Sequence, residues 1–206
     1  MHPSETAGRY DQIARWWQQN VPQQYGMAAL QRALGFAPKS GTSLDVGCGS
    51  EGRFMKALRL HGFEPEGLDV SPAMIELARA RDPGAVFHTA DISTWEPGRE
   101  YDFITAWDST FHLPLELQEP VLRKLCGALA ASGVILFTCG GGDAGEISGS
   151  FQGQEFEYST LGVEAFVQIL HQCGCLCRHV EYDQFPEGHV IIIGEKKAPT
   201  TAAGRS

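Results

Sequence analysis

The chain has 206 residues, 43% of them apolar, which suits one domain with a full core and at most a small insertion. Its 25 acidic residues outnumber 16 basic ones, for a formal charge of -9, and no stretch gathers Lys and Arg with interleaved aromatics. That excludes a nucleic-acid partner, whose phosphates require such clusters. The first residues lack a signal-peptide core and no apolar run approaches a membrane span, so no membrane partner and a soluble, cytoplasmic protein are expected. The first 40 residues hold two helical patterns, YDQIARWWQQ and a second around MAALQRALGF. TSLDV at 42–46 reads as a buried strand, followed by a Gly-rich turn and a helix through FMKALRLHG that stops at Gly62. A second strand, PEGLDV, ends at Asp69 and Val70; Ser71 then caps a helix with Pro72 in its first turn. AVFHTA at 85–90 and YDFITAW at 101–107 are strands three and four. A helix over 115–131 is stopped by SGV, and VILFTC at 134–139 is the fifth strand.

This alternation of strand and helix means βαβ units and a parallel sheet. The last third breaks the rhythm. A Gly-rich insertion spans 140–160, with an alternation compatible with a short hairpin, and a helix follows near 162–172. CLCRHVEYDQF and HVIIIGEKK are joined only by the turn PEG at 186–188, so these two strands must be antiparallel. Residues 197–206 are small and polar and read as a disordered tail. The six cysteines are expected to be reduced; Cys173, Cys175 and Cys177 would share one face of a strand, and they lack a fourth partner spaced for zinc. No metal site is expected.

The chemistry concentrates where strands end. LDVGCGSEGRF sets Asp45, Gly47, Gly49 and Gly52 at a strand-to-helix turn, where bare backbone lets a ligand approach and free N–H groups favour an anion. The same spacing fits a dinucleotide fingerprint, so the turn alone does not choose its ligand. Asp45 would repel a pyrophosphate and attract an ammonium; Asp69, ending strand two, can accept from both ribose hydroxyls; Asp91, ending strand three, can accept from an adenine amino group. Each acid also has a plain reading, as a turn cap, a helix cap or a strand end.

LDVGCG, GLDVSPAMIELAR, TADI and YDFITAWDSTFHL, over residues 40–140, resemble the successive motifs of class I S-adenosylmethionine-dependent methyltransferases, particularly small-molecule domains of the ubiquinone-biosynthesis type. The resemblance implies an α/β, Rossmann-like fold: a seven-stranded, mostly parallel sheet with a C-terminal antiparallel hairpin and helices on both faces. It implies S-adenosylmethionine as cofactor, S-adenosylhomocysteine as its product, and a small-molecule N, O or S acceptor. By the same resemblance, Asp45, Gly47 and Gly49 take the methionine end, Asp69 the ribose, and Asp91 with Ile92 the adenine, with Val70, Met74 and Trp107 flanking the cofactor. One departure is Ser50-Glu51, which delays the third glycine and leaves Glu51 without an assigned place. Residues 1–40 would form a helical lid on the domain 41–196, with Tyr10 reaching the methionine carboxylate.

Asp108 and His112 are the candidates for proton removal or substrate anchoring; the plain alternatives are that His112 caps the next helix and Asp108 fixes a loop. Trp17 and Phe111, with Glu146, Glu155 and Tyr158 from the insertion, are the candidate substrate contacts. Trp16 and Trp17 are adjacent and cannot share a helix face, so one of them is expected in the core. Competing functions are a non-catalytic relative that holds the cofactor, an NAD-dependent oxidoreductase, and aminopropyl transfer. Monomer and homodimer both remain open.

Overall fold

In the computed structural model, which describes residues 1–198, the seven strands of one sheet run in the order β3-β2-β1-β4-β5-β9-β8. They are β1 (Gly41–Val46), β2 (Phe63–Asp69), β3 (Val86–Thr89), β4 (Tyr101–Ala106), β5 (Leu129–Gly140), β8 (Cys175–Tyr182) and β9 (His189–Lys196). The first five are parallel, and β9 pairs antiparallel with both β5 and β8. The chain order reverses between β1 and β4, and that switch opens a crevice at the carboxyl edge. The two remaining strands, β6 (Gly145–Phe151) and β7 (Gln154–Thr160), form a separate hairpin, so the alternation in the insertion is a true β signal. Its turn residues Gln152 and Gly153 have φ of 50° and 74°, the doubly left-handed turn that matches strand twist.

Helices cover both faces of the sheet. On one, α5 (Leu115–Gly127) and α6 (Val163–Gln172) bury Leu125 and Phe166 against Leu44, Val46 and Ile104. On the other, α2 (Met27–Leu34) and α3 (Arg53–Leu60) bury Leu30 and Phe54 against Phe103 and Ile193. A smaller cluster joins Met55 of α3 to Ile75 and Ala78 of α4 (Pro72–Arg81). Being covered on both faces explains the unbroken run Ile191-Ile192-Ile193, each at most 2% exposed. Each such side chain contributes roughly 1.5–3 kcal/mol of burial. The leading helix α1 (Pro3–Asn20) lies against α4 and the hairpin.

Two expectations need correction. The fifth helix ends at Gly127 rather than 131, and β5 already begins at Leu129. The register jumps from Tyr101↔Leu129 to Phe103↔Val134, so residues 130–133 bulge out of the strand, with Ser132 at φ 64°. The segment SGV therefore marks a bulge inside a strand, which local pattern cannot separate from a helix stop. Second, Cys173 ends α6, and only Cys175 and Cys177 lie in β8; all six cysteines are free. The expected tail falls largely on residues 199–206, outside the described residues. Among the described residues, no helix is long and apolar enough to cross a membrane.

Candidate active site at the carboxyl edge of the sheet

The crevice is a cleft enclosing about 840 Å³, part of it open solvent at its mouth. One wall is the turn after β1. Gly47 has φ of 73°, and a Cβ there would fall 2.3 Å from Ser109 Cβ, so the segment after β4 packs directly on this backbone. Asp69, ending β2, organises the turn: its Oδ2 accepts from Gly49 N and its Oδ1 from Ser71 N, both at 2.9 Å. Burial pushes its carboxyl up to about 6, against those N–H donors. Two N–H bonds leave lone pairs on both oxygens for further donors. Ser71 caps α4 as expected, its Oγ accepting from Met74 N at 3.1 Å.

Of the residues expected at a cofactor, Gly47, Gly49, Asp69, Val70 and Met74 line the cleft on this side. Asp91, Ile92, Trp107 and Tyr10 line it elsewhere. Asp91 Oδ1 also accepts from Ser93 N at 2.8 Å, shaping the strand end. Asp45 does not reach the wall. It sits fully buried beneath it, opposite Thr105 in the β1–β4 register, and Thr105 Oγ1 donates to its Oδ1 at 2.5 Å. Burial pushes this carboxyl up to about 7, opposed by the Thr105 hydrogen bond and the nearby Arg53 charge. Glu51 is buried too, accepting from Gln23 Nε2 at 2.5 Å and Arg81 Nη1 at 3.0 Å, which ties the lengthened turn to α4.

The roof comes from α1, with β7 of the β6–β7 hairpin packed against it outside the cleft. Asp11 Oδ1 accepts from Ser71 Oγ at 2.6 Å and Ala73 N at 3.0 Å, docking α1 on the N-terminus of α4 and presenting Pro3, Thr6, Tyr10 and Trp17 to the cleft. Trp16 and Trp17 are both half-buried and flank Phe151, with centroids at 5.3 Å and 6.0 Å, so neither is the core residue expected. His112 joins roof to floor. The Glu157 carbonyl, 3.1 Å from Nδ1, can only accept, so Nδ1 carries the proton. Nε2 then accepts from Tyr10 Oη at 2.8 Å. His112 caps no helix, and burial pushes its pKa down to about 4, keeping it neutral. Tyr10 lines the cleft with its hydroxyl proton committed to His112, which leaves that proton unavailable to a methionine carboxylate.

Asp108 follows β4 with φ of 47°, a conformation that costs a non-glycine residue about 1–3 kcal/mol. Its backbone N–H donates to Thr138 Oγ1 at 2.8 Å. Its carboxylate is held by three side chains that sequence reasoning missed. Oδ1 lies 2.8 Å from His189 Nε2 and 3.3 Å from Thr138 Oγ1; Oδ2 accepts from Tyr25 Oη at 2.7 Å. The second nitrogen of His189 meets Asp183 Oδ1 at 2.5 Å. Burial lowers the pKa of His189, but Asp108 and Asp183 more than offset it and the net shift is upward.

The substrate candidates divide. Trp17, Asp108 and His112 line the cleft, whereas Phe111 and Tyr158 stack on His112 behind it, with centroids at 4.8 Å each. Glu146 Oε1 accepts from Leu115 N at 3.1 Å at the start of α5, and Glu155 is exposed on the opposite face of β7 from buried Phe156. Neither acid reaches the cleft. Arg53, which opens α3 and donates from Nε to Tyr25 O at 3.0 Å, was overlooked; it is the one Lys or Arg on the wall among the described residues.

Residues 17–168 match the methyltransferase domain family, which is most of the chain. A trans-aconitate 2-methyltransferase from Methylobacterium radiotolerans is 42% identical over 94 residues, 45% of this chain and 35% of that protein. A dTDP-3-amino-3,6-dideoxy-alpha-D-glucopyranose N,N-dimethyltransferase from Streptomyces fradiae is 31% identical over 112 residues, 53% of this chain and 43% of that protein. The chain thus spans less than half the length of these two curated relatives. A solved amino pentose methyltransferase from Micromonospora echinaspora, with S-adenosylmethionine bound, superposes with a TM-score of 0.67 at 21% identity, over 89% of this chain and 95% of that one. On the extent of the matched residues, this chain belongs to the methyltransferase domain family.

Proposed function

We propose that the chain is an S-adenosylmethionine-dependent methyltransferase acting on a small molecule. The observation that carries this reading is the single cleft at the carboxyl edge. It joins the Gly47–Gly49 backbone, the free lone pairs of Asp69, and Asp91 with Ile92. The wall also offers the unpaired, buried hydroxyls of Thr6 and Ser109, which suits a ligand rich in polar groups. Asp69 accepts from the ribose hydroxyls, and Asp91 with Ile92 holds the adenine. Arg53 takes the methionine carboxylate in place of Tyr10, while Asp45 beneath the turn lends a negative field to the ammonium. When bound, S-adenosylmethionine supplies an activated methyl group for in-line displacement. The chain's part is then placement: aligning the acceptor within about 3–3.5 Å can supply roughly 7–11 kcal/mol of the barrier reduction.

We also assign lid roles to α1 over the cofactor and to the hairpin at 140–160 over the acceptor side. The Tyr10–His112–Glu157 chain of hydrogen bonds couples the two. With its proton on Nδ1 and its Nε2 filled, His112 acts as that coupling rather than as a base. The test is calorimetric titration with S-adenosylmethionine, then incubation with methyl-labelled cofactor and a metabolite extract. Binding together with label transfer and S-adenosylhomocysteine release is expected. Methylthioadenosine as the product would mean aminopropyl transfer, and selective binding of NAD would remove the methyltransferase reading.

A further inference from the structure

The charges on the cleft wall select among acceptors. Asp69, Asp91 and Asp108 contribute carboxylates, His112 is neutral, and Arg53 is the one cationic side chain on the wall among the described residues. Arg53 is committed to the methionine carboxylate in the reading above, so nothing remains to neutralise an anionic acceptor. Asp108 is also the most firmly oriented of the acids. Its two oxygens offer about four lone-pair sites, and Tyr25, Thr138 and His189 occupy three of them. With His189 cationic between them, Asp108 and Asp183 leave a net charge of -1 on the triad. Oδ2 keeps one acceptor position, and an N–H is its natural complement.

We propose that the acceptor at this site is an amine, anchored by the open position on Asp108 Oδ2 and converted to its N-methyl derivative; this rests on the methyltransferase reading. The ammonium first gives one proton to water. The nitrogen lone pair then forms the N–C bond while the electron pair of the breaking C–S bond stays on sulfur. Positive charge therefore moves from sulfur to nitrogen, and the product sheds its excess proton to water. A fixed carboxylate beside that nitrogen attracts the transition state more strongly than the neutral amine, which is the condition for catalysis. For a carboxylate acceptor the signs reverse: it would meet Asp108 as a like charge and lose its own charge in the step. The likeness to a trans-aconitate methyltransferase accordingly does not extend to that substrate, whereas the amino-sugar relative shares the chemistry proposed.

The experiment uses two probes of similar shape and opposite charge, 2-phenylethylamine and 3-phenylpropanoate, since the rings of Tyr10, Trp17 and Trp107 line the cleft. Each is titrated calorimetrically into the full chain saturated with S-adenosylhomocysteine. The amine is expected to bind at least about tenfold more tightly. In Asp108→Asn the preference should fall to about twofold or less, in a protein that still binds S-adenosylhomocysteine. Equal or reversed preference in the unmodified chain, or no binding of the amine, overturns the proposal whether or not the variant folds. A chain that does not bind S-adenosylhomocysteine at all removes the underlying reading, and this inference falls with it.

Discussion

Acidification should loosen the cofactor, and the structure says where the change begins. Asp69 titrates near 6 in the folded chain because burial outweighs the N–H groups of Ser71 and Gly49. Its ordinary value is about 3.9, so the gap is about two units, or about 3 kcal/mol at 1.36 kcal/mol per unit. The sign is that of a carboxyl raised by folding: the ionised form weighs against the empty fold above about pH 6, and the burden lifts as pH falls toward the unfolded value of about 3.9. Ribose hydroxyls donate to the ionised form, so the bound state holds fewer protons than the free one and binding weakens as pH drops. Calorimetric titration of S-adenosylhomocysteine from about pH 7.5 to about pH 5 should show a dissociation constant that rises about tenfold in all, about fivefold of it over the last unit. Asp45, pushed up to about 7 by burial, adds an earlier rise as its field on the ammonium is lost. Asp69→Asn should lose about 1.5–3 kcal/mol of affinity, as expected for hydrogen bonds to a charged group. It should also erase the component centred on pH 6 while leaving the one near 7. A variant with unchanged affinity, or an unmodified chain whose affinity is flat through pH 6, would refute the ribose role.

Tyr10→Phe leaves the buried Nε2 of His112 without its donor and should cost about 1–3 kcal/mol in denaturant unfolding. Hydrogen exchange should then speed up along α1. Gly47→Ala must hold φ of 73° and displace Ser109. A loss of about 1–2 kcal/mol of stability is expected from the backbone alone, more with the displacement of Ser109, and cofactor affinity should fall in the same titration. His189→Gln removes the cation between two partly buried carboxylates and should destabilise by about 1.5–3 kcal/mol. The His189 pKa is raised by folding, so its contribution is full below about pH 6.5 and fades as pH rises through the folded value. Urea unfolding of both proteins across pH should therefore show the gap narrowing on the alkaline side.

Much of the site was legible because its first half is written locally. Gly47, Gly49, Asp69, Ser71 and Asp91 each stand at a strand end followed by a helix or turn, and such ends converge on one edge once the strands are parallel. Asp45 shows the limit of that rule. It stands one residue before the end of β1, and its pleat and its partner Thr105 keep the carboxylate under the wall. The insertion shows another limit. Its acids suggest a charged cover, but the alternation of β7 puts buried Phe156 and Tyr158 on one face and Glu155 on the other. The aromatic face is the one that meets His112.

The second half of the site is long-range and left no local trace. Asp108 meets Tyr25, Thr138 and His189 across separations of 83, 30 and 81 residues. No spacing pattern joins them, yet the topology does. Parallel strands end at the carboxyl edge, and an antiparallel neighbour must begin there. The turn at 186–188 already made β9 antiparallel to β8, and a β9 beside β5 would have to start where β5 stops. His189 opens β9 and pairs with Gly140, the last residue of β5, while Asp108 follows the end of adjacent β4. A histidine at the start of the antiparallel strand and an aspartate past the end of a parallel one are therefore brought to the same edge by strand order alone. The last strand thus both closes the sheet and supplies a site residue, His189.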